Sequence, residues 1–261
     1  MSINPIKIAI IDMYDDTSNL GMTCIVAIIN AWSKKNDIEM QYQIFPLRHK
    51  GEIPDHSFDI YLSTGGPGSP IDSVGSPWDN LYVKWLQDML SQQKPVLLIC
   101  HSFQIACRHF NFGNVCLRKS TQIGVLPVHP LVADPIFANL NDPFYTLESR
   151  LYQIIEPNDE NINKLGAKII ALEKHRPHVP LERAIMAIKF SDTMYGVQFH
   201  PEGEKNILLE FFNEEKNKKN IIDKFGAEKW EVIISKLNDD EKLPKTHAHF
   251  IPNFLNLAIG N

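Results

Sequence analysis

The sequence has 261 residues, of which 44% are hydrophobic and 22% charged, with a formal net charge of −5. A chain of this length can bury a sizeable core, so we expect one α/β domain with a modest appendage rather than two equal domains. The negative charge provides no basic field for a phosphate backbone, which argues against a nucleic-acid ligand, and no apolar stretch is long enough to cross a bilayer.

The cysteines and the first apolar run indicate a cytoplasmic protein. Ile8–Ile11 is ended at once by Asp12, so it predicts a buried strand rather than the core of a signal peptide. Without a secretory signal, four cysteines in a chain of this length favour reduced thiols. None stands in a C-x-x-C pair and no histidine spacing around them is typical of zinc, so we expect neither a metal nor a cofactor.

The first hundred residues alternate between strand-length and helix-length apolar patterns. Strands separated by helices predict a parallel sheet covered on both faces, with binding loops at the carboxyl ends of the strands. In chain order, the predicted elements are a strand at Lys7–Met13, a helix at Asn19–Lys35, strands at Gln41–Phe45 and Ile60–Ser63, a helix at Trp78–Gln92 and a strand at Val96–Cys100.

From Val115 to about Val197 the apolar stretches become shorter and are punctuated by Pro and Asn. This pattern predicts mixed or antiparallel strands added to one edge of the sheet. After Glu202 the chain becomes charged and helical, so we expect a domain at 1–203 and a helical C-terminal extension at 204–261 packed on it. The predicted added strands are Ile123–Val128, Leu151–Ile155, Lys168–Leu172, Ala184–Phe190 and Tyr195–Phe199.

Cys100 ends a buried strand, and a helical pattern starts immediately after it at Ser102. This layout is typical of a nucleophile elbow. A thiol at a helix N-terminus is activated by the exposed N–H groups and the helix dipole. The backbone N–H of His101 is predicted to face the oxygen of a tetrahedral intermediate.

Two further segments support this hypothesis. The loop Ser63–Pro70 contains Gly65, Gly66 and Gly68 and exposes N–H groups to which a ligand oxygen can come close. Another strand ends at His200, with Glu202 two positions later. A histidine there can serve as general base to the thiol while the carboxylate fixes its tautomer.

These three segments, in this order, resemble the class I glutamine amidotransferases over roughly Lys7 to Glu202, most specifically in the motif Tyr195–Glu202. They are similar to the glutaminase part of GMP synthase and its stand-alone relatives. The resemblance implies a flavodoxin-like three-layer α/β/α fold with a mostly parallel central sheet, an antiparallel or mixed edge and the helical extension. It also implies that Cys100 attacks the side-chain amide of L-glutamine, that His200 carries the proton and that Glu202 orients His200.

The resemblance assigns several supporting roles. It implies that the N–H groups of Gly66 and His101 form the oxyanion hole and that Gln104 helps to hold glutamine. Ser149 and Arg150 stand where family members often carry residues that grip the substrate amino group. The family elbow reads Gly-x-Cys-x-Gly, whereas this chain has leucine and serine at the two glycine positions, 98 and 102.

Three functions remain open at this point. The first is a glutaminase that passes ammonia to a synthase partner, because 261 residues leave no room for an acceptor domain. The second is a free-standing hydrolase of γ-glutamyl amides or peptides, and the third is a non-catalytic binding or regulatory member. A rival resemblance, of Ile99–Ser102 to the elbow of intracellular cysteine peptidase-like proteins, would make His101 the base.

Overall fold

The computed structural model describes residues 5–176 and 181–260. Its strands are β1 (Ile6–Asp12), β2 (Met40–Pro46), β3 (Ile60–Ser63), β4 (Val96–Ile99), β5 (Asn114–Pro130), β6 (Phe144–Ile155), β7 (Lys168–Glu173), β8 (Ile185–Lys189) and β9 (Met194–Val197). Its helices are α1 (Leu20–Asn36), α2 (Leu47–Lys50), α3 (Pro77–Ser91), α4 (His101–His109), α5 (Asp159–Lys164), α6 (Lys205–Asn213), α7 (Glu215–Phe225), α8 (Ala227–Leu237) and α9 (Leu243–Ala258).

The described strands form one sheet in the order β2-β1-β3-β4-β9-β8-β7-β5-β6. β2, β1, β3, β4 and β9 run parallel to one another, and the remaining strands pair in antiparallel fashion. The predicted flavodoxin-like α/β fold is confirmed. The prediction of a mostly parallel sheet is confirmed only in part, because the antiparallel strands make up nearly half of the sheet.

β9 lies in the middle of the sheet, between β4 and β8. The prediction that the Tyr195–Phe199 segment belongs to an added edge is therefore wrong. All four residues of β9 are buried, which is expected of a strand covered by helices on both faces. This position brings the residues after β9 to the same edge of the sheet as the loops after β3 and β4.

β5 and β6 are longer than predicted and form a paired ribbon at the far edge of the sheet. Only their parts around Ile123–Val128 and Leu151–Ile155 were predicted from apolar runs. The missed part of β6 has a buried side chain at every second position, and three of these are the polar Thr146, Glu148 and Arg150. An apolar run does not mark such a segment, because polar residues occupy its buried positions.

Helices cover the sheet on both faces. Asn19 caps the N-terminus of α1, since its side-chain oxygen accepts a hydrogen bond of 2.9 Å from the backbone N–H of Met22. α1 and α9 pack against one face, where the Trp32 indole N–H donates to Asn256 Oδ1 at 2.8 Å. α3 and α4 pack against the other face.

The helices after β9 make a third apolar cluster with the antiparallel ribbon. Val125 of β5 packs with Leu208 and Phe212 of α6 and with Ile233 of α8. α6 thus lies over the ribbon, next to the edge of the sheet that carries the predicted functional loops. In the ranges 5–176 and 181–260, no helix combines the length and the apolar character needed to span a bilayer.

Candidate active site

Cys100 lies at a sharp turn between β4 and α4. Its φ of +50° falls in the left-handed region, which is uncommon and strained for a residue with a side chain. The turn is held on both sides, since the Cys100 N–H donates to Val197 O at 2.7 Å and the Gln104 N–H donates to Cys100 O at 2.9 Å. The predicted elbow geometry is present, with the thiol at the N-terminus of α4, where the helix dipole favours negative charge.

His200 and Glu202 follow β9 and lie next to this turn. His200 Nδ1 is 2.8 Å from Glu202 Oε1, and the two side chains are only 12% and 4% exposed. Burial by itself lowers the pKa of His200, but the negative charges of Glu202 and Cys100 outweigh it and raise the pKa well above the usual value. This shift favours the positively charged form of His200 beside the predicted nucleophile.

The backbone on each side of His200 is fixed by the antiparallel ribbon. Its N–H donates to Leu147 O at 2.9 Å, and its carbonyl accepts from the Thr146 hydroxyl at 3.2 Å. From α9, His247 Nδ1 lies 3.1 Å from Glu202 O. The ribbon and a C-terminal helix thus help to orient the His–Glu pair.

His101 differs from His200 in its electrostatics. Burial, with further contributions from Arg48 and Arg108, lowers the pKa of His101 to about 3. A group with that pKa is a very weak proton acceptor at neutral pH. The two pKa shifts therefore favour His200 over His101 as the group that holds the proton taken from Cys100.

The glycine loop after β3 directly contacts two members of the predicted catalytic triad, Cys100, His200 and Glu202. At Gly65 a Cβ atom would lie 2.8 Å from His200 Cε1 and 3.4 Å from Cys100 Cβ. At Gly66 a Cβ atom would lie 2.4 Å from the carbonyl oxygen of Met13. Both positions therefore need glycine for close approach.

Arg48, in α2 just after β2, holds this loop from the outside. Its Nη1 donates to Met13 O at 3.1 Å and also to Pro67 O. Its guanidinium lies over the Trp78 ring, 5.1 Å from the centroid. Gly68, whose φ is +100°, comes close to the same guanidinium. Arg48 thus holds both the Met13 carbonyl, which Gly66 approaches, and the Pro67 carbonyl, which follows Gly66 in the loop.

With this geometry described, comparison with known proteins identifies the family. The family model described as glutamine amidotransferase class-I matches residues 21–208. The chain belongs to this family. The resemblance predicted from the motifs is confirmed. No curated protein matches the chain.

Solved structures support the fold assignment. The glutamine amidotransferase of Thermotoga maritima covers 99% of this chain and 100% of its own, with 15% identity and a TM-score of 0.72. The glutaminase domain of Trypanosoma brucei CTPS, solved with bound acivicin, matches 98% of this chain and 94% of its own, with 12% identity and a TM-score of 0.62. A Thermoplasma acidophilum protein described as one subunit of a GMP synthase matches 85% of this chain and 99% of its own, with 17% identity and a TM-score of 0.54.

The two residues that depart from the amidotransferase elbow motif are both buried and packed. Leu98 pairs with Gly196 of β9, and a Cβ atom at Gly196 would lie 2.5 Å from Phe103 Cδ2. The close approach of α4 to the sheet thus occurs at a glycine on the neighbouring strand. Ser102 donates to Thr64 O at 2.5 Å, and its Oγ lies 2.8 Å from Ser63 Oγ, which links the elbow to the glycine loop.

Gln104 is 3% exposed and lies behind Cys100. Its Nε2 donates to Gln198 Oε1 at 3.3 Å, and Gln198 Nε2 lies 3.7 Å from Cys100 Sγ. The contact of Gln104 with a substrate stays a prediction. Gln198, which the sequence analysis did not single out, is the neighbour of the thiol, although it stands inside the motif that carried the resemblance.

Ser149 and Arg150 point in opposite directions from β6. Ser149 is exposed and faces a cavity next to Cys100. Arg150 is 4% exposed, and its Nε donates to Glu148 Oε2 at 2.8 Å. Its Nη2 is 3.7 Å from Glu173 Oε1. The structure therefore does not bring Arg150 together with the other predicted site residues, since successive side chains of a strand lie on opposite faces.

The cavity beside the triad has a volume of about 400 Å³. Among the predicted site residues, it is lined by Gly66, Cys100, Ser149, His200 and Glu202. α6 forms another part of its wall, a contribution that the sequence did not reveal. Within the described ranges, no group of three or more His, Cys, Asp and Glu side chains is arranged to hold a metal ion.

Proposed function

We propose that this class I amidotransferase cleaves the side-chain amide of L-glutamine to glutamate and ammonia, with Cys100 as nucleophile, and that the ammonia passes to a separate synthase. The observation that carries the proposal is the ion pair of His200 with Glu202, 2.8 Å apart, beside a cysteine held at an elbow. The raised pKa of His200 supports it further, because a protonated imidazole stabilises a thiolate and can later donate a proton.

The proposed reaction has two balanced steps. The Cys100 sulfur forms a bond to the amide carbon, and the oxygen charge is stabilised by the N–H groups of Gly66 and His101. The C–N bond then breaks as His200 gives its proton to the departing ammonia, which leaves a γ-glutamyl thioester. His200 then takes a proton from water, the water oxygen bonds to the thioester carbon and the C–S bond breaks, which releases glutamate and restores the Cys100 thiolate beside a protonated His200.

The descriptions of two similar structures support the proposal that a synthase accepts the ammonia. They are described as a subunit of a GMP synthase and as the glutaminase domain of CTPS. The present chain aligns with them over most of its length. We place the reaction in the cytoplasm, where thiols stay reduced.

The test is the release of glutamate and ammonia from L-glutamine by the purified protein. Cys100→Ala and Glu202→Gln serve as paired variants, and circular dichroism checks that both stay folded. We expect turnover by the wild type, none by Cys100→Ala and a reduced rate for Glu202→Gln. Turnover that survives Cys100→Ala would refute the proposed nucleophile.

If the wild type releases neither glutamate nor ammonia, a second measurement distinguishes the remaining explanations. Incubation with 6-diazo-5-oxo-L-norleucine, a reactive glutamine analogue, followed by mass spectrometry, reports whether Cys100 is alkylated at the glutamine site. Alkylation blocked by excess L-glutamine would support a site that needs its partner for turnover. The absence of both turnover and alkylation would favour the non-catalytic alternative.

A further inference from the structure

The cavity next to the triad is mostly apolar on the side away from Cys100. This wall comes from the antiparallel ribbon and from α6, and it comprises Ile123, Leu147, Ile207, Leu208, Phe211 and Phe212. A volume of about 400 Å³ falls in the range of about 300–1,000 Å³ that is typical of pockets for larger organic ligands. Space and apolar surface are therefore available beyond what a primary carboxamide needs.

The cavity also offers no charged partner away from the triad. Within the described residues, no lysine, arginine or aspartate lines it. Burial raises the pKa of the Cys24 thiol to about 11 and raises the pKa of the Tyr14 phenol, so both are neutral. A charged substituent placed against this wall would lose its hydration without compensation, whereas an apolar one would not.

Hydroxyl groups are available at the mouth of the cavity and not along the α6 wall. Ser18 and Ser149 are exposed at the mouth, while Leu208 and Phe212 of the wall are buried. A ligand whose carbonyl lies at Cys100 can therefore direct a polar end to the mouth and an apolar end along α6. In this arrangement the polar end of a substituted amide lies at the mouth of the cavity, and its apolar end lies against α6.

This inference rests on the proposed cleavage of a γ-glutamyl amide by Cys100, and it replaces the transfer of ammonia to a synthase. The geometry points to γ-glutamyl amides with an apolar substituent on the amide nitrogen as the preferred substrates. The α-amino and α-carboxylate groups lie at the polar mouth, and the substituent packs on Phe211 and its neighbours in α6. Cys100 forms the same γ-glutamyl thioester. The C–N bond breaks with proton transfer from His200 to an apolar amine instead of to ammonia, and water then releases glutamate.

Three amides that differ only at the amide nitrogen test this inference. They are L-glutamine, N5-benzyl-L-glutamine, and N5-(2-aminoethyl)-L-glutamine as a cationic control. Burial of an aromatic ring is expected to raise kcat/KM for the benzyl amide about 10–100-fold above that for glutamine. The cationic amide is expected to react more slowly than the benzyl amide.

The variant Phe211→Ala tests whether the preference for the benzyl amide arises at the α6 wall of the cavity. Phe225→Ala is the matched control. Phe225 packs at the edge of the same apolar cluster but does not line the cavity. The preference for the benzyl amide should fall several-fold in Phe211→Ala and persist in Phe225→Ala. If Phe211→Ala does not fold, Phe211→Leu is the replacement, because it removes the aromatic ring from the cavity wall and keeps an aliphatic side chain in the apolar cluster.

The outcomes separate the two proposals. Glutamine hydrolysed as fast as the benzyl amide, or faster, overturns the inference and leaves the proposed function standing. A preference for the benzyl amide that is unaffected by every cavity variant also overturns it. No Cys100-dependent hydrolysis of any of the three amides refutes both.

Discussion

Gly66→Ala should separate catalysis from binding at the proposed oxyanion hole. The added Cβ atom would lie 2.4 Å from Met13 O, whereas ordinary contact begins at 3.4 Å, so the loop must move by about 1 Å. A displacement of that size costs on the order of 10²-fold in rate, and loss of one oxyanion donor costs about 10²–10³-fold. We expect kcat for the best amide substrate to fall about 100-fold, with KM changed less than about threefold.

The control for this prediction is Gly166→Ala. Gly166 has a φ of +68° and nothing within 4 Å of its Cβ position, so alanine there strains the backbone without displacing a neighbour. It should lower the melting temperature slightly and leave kcat unchanged. If Gly66→Ala keeps full kcat while folded, or if both variants lose kcat equally, the assignment of Gly66 to the oxyanion hole is wrong.

Three further predictions concern groups around the site. Arg48→Met should lower kcat about 10–100-fold with KM unchanged in steady-state assays, because two carbonyls lose a charged donor; a pure loss of stability would count against this. The advantage of the wild type over His200→Gln in the rate of Cys100 alkylation by iodoacetamide should be largest near neutral pH and shrink as the pH rises, because His200 loses its positive charge above its raised pKa; equal rates at neutral pH would contradict this. Arg150→Met should destabilise the protein by about 3–5 kcal/mol in urea unfolding, because Glu148 is left buried without a partner; a higher KM at unchanged stability would instead show contact with substrate.

The proximity of Cys100, His200 and Glu202 could be predicted because these residues stand in short, local motifs. Cys100 follows a run of four buried residues, and His200 and Glu202 stand in one segment with a fixed backbone relation. β3 has the predicted bounds because a short strand buried on both faces is an uninterrupted apolar run. These segments lie close together because the carboxyl ends of parallel strands meet at the same edge of the sheet.

What escaped prediction depends on contacts between distant parts of the chain. The Arg48 bonds to the loops span 35 and 19 residues, and nothing in the local sequence marks them. The placement of β9 at the centre depends on its pairing with β4, almost one hundred residues earlier. The side of β6 on which Arg150 lies depends on register, and a shift of one residue reverses it.

The C-terminal helices are best understood as part of the site and not only as a cover for the sheet. α6 starts two residues after Gly203 and supplies buried side chains to the cavity wall. α9 holds the carbonyl of Glu202 through His247 and the carbonyl of Tyr145 through Thr246, at 3.1 Å and 2.6 Å. Because the same helices also fill apolar clusters on the sheet and the ribbon, a change in their packing alters both the orientation of the His–Glu pair and the shape of the pocket. The predicted boundary at 203/204 therefore runs through the candidate active site, and we expect specificity to be determined largely by residues that follow it.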